Sequence, residues 1–72
     1  MTPEDVEKAI LALAADLGLQ EGHVLPAMAL MAEFKRIGAS QEAIKTALHS
    51  LVMKGWLSDK EMLTAEGYAQ IS

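Results

Sequence analysis

Apolar residues recur at Val6, Ile10, Leu13 and Leu17, spacings that line one face of an α-helix, with Ala9 and Ala14 beside them. Thr2 offers a capping hydroxyl, Pro3 lacks an N–H where none is needed, and Glu4 and Asp5 suit the positive end of a helix dipole. The pattern predicts a first helix over residues 3–17, stopped by Gly18. Leu11 falls off the stripe and is expected to be exposed.

Residues 18–25 hold two glycines and then a short apolar stretch, which predicts a loop with a brief strand. A second helix is expected over residues 26–36, burying Ala27, Met31 and Phe34 with Leu30 adjoining, and ending near Gly38. After the short Gly38-Ala39-Ser40 connection, Ser40 is placed to cap a third helix over residues 41–54. There Ile44, Ala47, Leu48, Leu51 and Val52 form the inward stripe, and Gln41, Lys45, Thr46 and His49 fall on the opposite side. Beyond Gly55 the period shortens: Trp56-Leu57-Ser58 and Glu61-Met62-Leu63-Thr64 flank Asp59-Lys60, the pattern of a tight hairpin over residues 56–64. Thr64 can cap a short last helix over residues 65–71 carrying Tyr68 and Ile71, although Gly67 weakens it by about 1 kcal/mol relative to Ala. No repeat or linker interrupts this order, so residues 1–72 are expected to form a single domain.

The order helix, strand-like piece, helix, short turn, helix, hairpin resembles the winged helix-turn-helix family. The segment AEFKRIGASQEAIKTALHSLVMKGWL, residues 32–57, carries the likeness. It has Ala32 and Phe34 in the second helix, Gly38 in the turn and Ser40 as a cap, then a long helix ending in Leu51, Lys54 and Gly55 before Trp56-Leu57. LTAEGYAQI, residues 63–71, is similar to the stretch that follows the wing in such regulators. The resemblance implies a mainly α fold with a small β-hairpin, a three-helix core plus short wing. It also implies a DNA-binding transcriptional regulator, with Trp56 anchoring the wing to the core.

The physical basis of that function is independent of the family. A major groove about 12 Å wide admits one α-helix, so a reading helix must be polar outward. Gln41 can bond adenine through both amide groups, Lys45 can reach guanine or a phosphate, and Thr46 and His49 can bond to either. Lys35, Arg36, Lys54 and Lys60 are the candidate phosphate holders.

Net charge first argues against this. Ten acidic residues oppose six Lys and Arg in a chain of 72, a formal −4 that repels phosphates on average. The distribution restores the possibility. Residues 1–33 carry one lysine against six carboxylates, a net −5; residues 34–60 carry five cations against Glu42 and Asp59, a net +3; residues 61–72 add −2. Positive charge is therefore concentrated in the helix-turn-helix and wing. With only Lys60 on the wing and a modest total, a single copy is expected to bind double-stranded DNA weakly, so a homodimer or a protein partner is expected, meeting at Leu11, Met28, Met53 or Trp56.

Other chemistries find little support. The chain has no cysteine, which removes disulfides, thiolate nucleophiles and zinc ribbons. His23 and His49 lack metal-ligand spacing, and Ser40 and Ser50 have no neighbouring base. Glu4, Asp5 and Glu7 read as first-turn surface charge, and the five methionines as core filler. No catalytic residue, cofactor or metal is expected, and an enzyme is not. The N-terminal residues are acidic and the longest apolar run, residues 24–31, is too short to span a bilayer, which predicts a soluble cytoplasmic protein without a membrane partner. The alternative function is a winged-helix protein-interaction module, or an acidic inhibitor of nucleic-acid machinery, that does not bind DNA.

Overall fold

A computed structural model describes residues 2–72. Its order is α1 (Pro3–Asp16), α2 (Ala27–Ile37), α3 (Gln41–Met53) and α4 (Ala65–Ile71), a small, mainly helical fold. Helix α1 is central and packs against all three others, most extensively against α3.

Helix α1 starts in a reciprocal cap. The Asp5 N–H donates to the Thr2 hydroxyl and the Thr2 N–H donates to the Asp5 carboxylate, each at 3.2 Å. Two amides at the positive end of the helix are satisfied without a Glu at the third position. The backbone bond from Thr2, followed by that with its hydroxyl, holds the Asp5 carboxyl below its ordinary range. Val6, Ile10 and Ala14 are wholly buried. Leu11 is half-buried against the core, which corrects the expectation that it is exposed. The stripe is wide enough to take it in.

The core joins those three α1 side chains to Leu25 and Leu30, to Ala43, Ala47 and Leu51 of α3, and to Leu57 and Leu63. Each fully buried Ile or Leu contributes about 1.5–3 kcal/mol over an exposed one, so Ile10, Leu51 and Leu63 anchor the packing. Alanines at 43 and 47 let α3 approach α1 closely.

Helix α2 orients differently from its expected register. Leu30 is its buried residue and Phe34 is partly buried, whereas Met31 is exposed. Nearly every residue from Ala27 to Phe34 is apolar, so no period selects one face. The assignment of methionine to the core is corrected with it: Met28, Met31 and Met53 are 84%, 64% and 72% exposed, and Met62 is also on the surface. Leucine and isoleucine fill the centre, where their shape is better defined.

Gly38 ends α2 in the left-handed region at φ 69°, which an L side chain adopts only with strain. Its N–H donates to the Lys35 carbonyl, and the Ala39 N–H donates to the Phe34 carbonyl at 3.0 Å. This closure redirects the chain within three residues, and the Ser40 hydroxyl then accepts from the Ala43 N–H at 3.1 Å to open α3.

In place of a hairpin of two strands, the segment after α3 forms two isolated antiparallel bridges, Leu57 with Leu63 and Val24 with Met62. The Ser58 N–H donates to the Met62 carbonyl, the Leu63 N–H to the His23 carbonyl, and the Leu25 N–H to the Glu61 carbonyl. The loop before α2 is thereby tied to the segment after α3. Between them, residues 58–61 make a tight turn that leaves Glu61 at φ 57°, the one non-glycine residue with positive φ among those described.

Helix α4 docks through Gly67. A Cβ at this position would lie 2.0 Å from the Trp56 carbonyl oxygen and 2.9 Å from Leu63 Cδ1. The glycine that looked like a weakness in the helix is what lets its first turn meet the Trp56 backbone. Thr64 completes the junction: its hydroxyl accepts from the Gly67 N–H at 3.0 Å and donates to the Gly55 carbonyl, while its N–H donates to the Trp56 carbonyl.

Candidate nucleic-acid interface

Burying Ala43, Ala47 and Leu51 against α1 turns the opposite side of α3 to solvent. Gln41, Lys45, Thr46 and His49 are all exposed there. They occur at intervals of four, one and three, so they share one side of the helix over about two turns. Lys35, on the last turn of α2, borders the same shallow cleft as Gln41, with Met31, Phe34 and Ile44 between them. One cation of the preceding helix is thereby placed beside the first residue of α3.

The other predicted cations divide. Arg36 forms an exposed ion pair with Glu33 one turn earlier, using two guanidinium nitrogens. The hydrogen bond between them holds the Glu33 carboxyl below its ordinary range and raises the Arg36 guanidinium. Lys54, at the end of α3, reaches away from the outer face to Glu7 of α1, Nζ to Oε1 at 2.8 Å. Its Nζ also lies 4.9 Å from the centre of the Trp56 ring, a cation–π contact. Lys60 is exposed on the 58–61 turn between Asp59 and Glu61. Lys35, Lys45 and Lys60 are therefore the candidate cations that form no ion pair among the described residues.

Glu7 is the buried charge that the sequence hid. Its side chain is only 8% exposed, and Lys54 compensates it across 47 positions of chain. The first-turn assignment is corrected by this packing. Glu7 stands three residues before Ile10 and seven before Ala14, on the edge of the α1 stripe, and that spacing was the available signal.

The surface near the C-terminal half of α3 has another character. Val52, placed on the inward stripe by its period, is exposed. It lies with Leu48, His49 and Leu57 along a groove closed by the 58–61 turn. Among the described residues no three His, Cys, Asp or Glu side chains gather as metal ligands, and no helix is long and apolar enough to cross a membrane.

No protein-family model, curated protein or solved structure matches the chain.

Proposed function

We propose that this chain is a small winged-helix protein that binds double-stranded DNA as a transcriptional regulator, with α3 as the helix that enters the major groove. The observation that carries the proposal is the exposed polar side of α3, where Gln41, Lys45, Thr46 and His49 stand clear of the α1 contact, with Lys35 beside them. The reading is supported by the order of glycine-closed α2, the Ser40 cap and α3, taken as a helix-turn-helix, and it takes the bridged segment 57–63 as a short wing. Gln41 and Thr46 supply amide and hydroxyl bonds to base edges; Lys45 and His49 bond bases or phosphates; Lys35 and Lys60 hold the backbone.

Ion pairing sets the strength. Three available cations give a slope of log K against log salt of about −2.7, from about −0.9 per phosphate neutralised. All five cations of the segment would give about −4.5. A single copy binds weakly, and a second copy or a partner supplies the remaining affinity.

The test is fluorescence anisotropy of a labelled duplex over a series of salt concentrations. Binding that weakens with the shallower slope supports the proposal, and no binding at the lowest salt refutes it. The second reading, a protein-interaction module, rests on the exposed methionines Met28, Met31 and Met53, adaptable apolar side chains turned to solvent. It requires no duplex binding.

A further inference from the structure

The groove between α3 and the 58–61 turn does not share the polarity of the outer α3 side. Its floor is aliphatic, made by Leu48, Val52 and Leu57, and its volume is about 230 Å³. Asp59 and Glu61 stand on one rim and His49 on the other. Neither carboxylate forms an ion pair among the described residues, although Lys60 lies between them in sequence. An apolar trough with two uncompensated carboxylates on its edge disfavours phosphate and favours a cation carried next to an aliphatic side chain.

The rim is also fixed in place. The Glu61 N–H donates to the Ser58 carbonyl at 3.0 Å, and its own carbonyl accepts from the Leu25 N–H at 2.9 Å. The Ser58 hydroxyl accepts from the N–H groups of Lys60 and Met62. These bonds hold the turn on both sides of Asp59, so less ordering is needed when a partner arrives. Two other grooves differ in charge. The one between α1 and α4 balances Glu4 and Glu7 with Lys8 and Lys54. The one beside Met31 has Lys35 and Gln41 on its rim and belongs to the proposed DNA surface.

We propose that the groove between α3 and the 58–61 turn docks a segment of a partner protein that presents an arginine or lysine beside a leucine-like side chain. The aliphatic group covers Leu48 and Val52, over the buried Leu57, and the cation reaches Asp59 and Glu61. Long Arg and Lys stems serve both needs, since their methylenes lie on apolar surface while the charge stays at the rim. The groove shares only His49 with the exposed polar side of α3, and the proposal stands whether or not that side contacts DNA.

The test uses the full chain with uniform ¹⁵N labelling and an acetylated, amidated peptide of alternating leucine and arginine. A second peptide has glutamate at every arginine. The arginine peptide is expected to shift the amides of His49, Val52, Ser58 and Glu61, and the glutamate peptide to leave them unchanged. The paired substitution Asp59→Asn, Glu61→Gln is expected to weaken arginine-peptide binding about tenfold, as for two partly exposed ion pairs. It leaves the aliphatic floor intact, and its amide spectrum establishes folding. Equal binding of both peptides, unchanged affinity of the paired variant, or shifts confined to the acidic end of α1 would overturn the proposal. So would a duplex DNA that shifts Val52, Ser58 and Glu61 in place of the peptide.

Discussion

Gly67→Ala separates tertiary packing from helix propensity. Alanine is favoured over glycine by about 1 kcal/mol inside a helix, so a local rule makes this substitution stabilising. The structure gives the opposite sign. The new methyl would sit 2.0 Å from the Trp56 carbonyl oxygen and 2.9 Å from the Trp56 carbonyl carbon. Both are backbone atoms, so no side-chain rotation relieves the overlap. Moving α4 away breaks the bonds from the Thr64 N–H to the Trp56 carbonyl and from the Thr64 hydroxyl to the Gly55 carbonyl, each contributing about 1 kcal/mol. It also uncovers part of Leu63, at a cost of about 1 kcal/mol. Subtracting the propensity gain leaves a net loss of about 2 kcal/mol. Urea unfolding followed by the fluorescence of Trp56, the only tryptophan, measures it directly. In thermal unfolding the same loss lowers Tm by roughly 8–16 °C. Ala69→Gly, at an exposed α4 position, is the control and loses about 1 kcal/mol by propensity alone. A Gly67→Ala protein as stable as the parent, or more stable, would refute the close approach of α4 to Trp56.

Lys54→Ala leaves the Glu7 carboxylate buried without its partner and is expected to cost about 2 kcal/mol in urea unfolding; adding Glu7→Gln recovers about half, because the pair is exposed at the lysine end. Asp5 has a folded pKa below its unfolded one, so its stabilisation is complete above the ordinary carboxylate value and disappears as pH falls through the lower folded value. Asp5→Asn removes that charge while keeping the side chain's shape, and the gap between parent and variant urea midpoints is therefore expected to narrow as pH is lowered from 5 to about 2. In duplex binding, Lys45→Ala is expected to reduce the salt slope by about 1, whereas Arg36→Ala, whose guanidinium is already paired with Glu33, changes it by less than half as much.

The helices were legible because their ends and periods agreed. The Thr2, Ser40 and Thr64 hydroxyls each accept the backbone bond that a cap requires, and Ala47 and Leu51 face inward on the spacing that placed them. What was lost depended on partners distant in sequence. Glu7 looks like surface charge until Lys54 arrives from the other end of α3, and Gly67 looks like a defect until the Trp56 backbone is beside it. The facing of α2 was illegible for a different reason. A helix apolar on nearly every side has no preferred direction of its own, so the fit of Leu30 against the core decided it and left Met28 and Met31 outside. Within the candidate interface, the polar side of α3 could be read from its period. Arg36 reads as a phosphate holder in the sequence although Glu33 stands at pairing distance three residues before it, and the turn of Lys54 toward Glu7 had no local signal, because its direction is set by α1.

The most direct measurement is a titration of uniformly ¹⁵N-labelled protein with random duplex DNA at low salt, following every backbone amide. If α3 is the helix that enters the major groove, the largest shifts fall on Gln41, Lys45, Thr46 and His49, with smaller ones at Lys35 and Lys60, and all fade as salt is raised. An unchanged spectrum at saturating duplex, or shifts centred on α1, would contradict it.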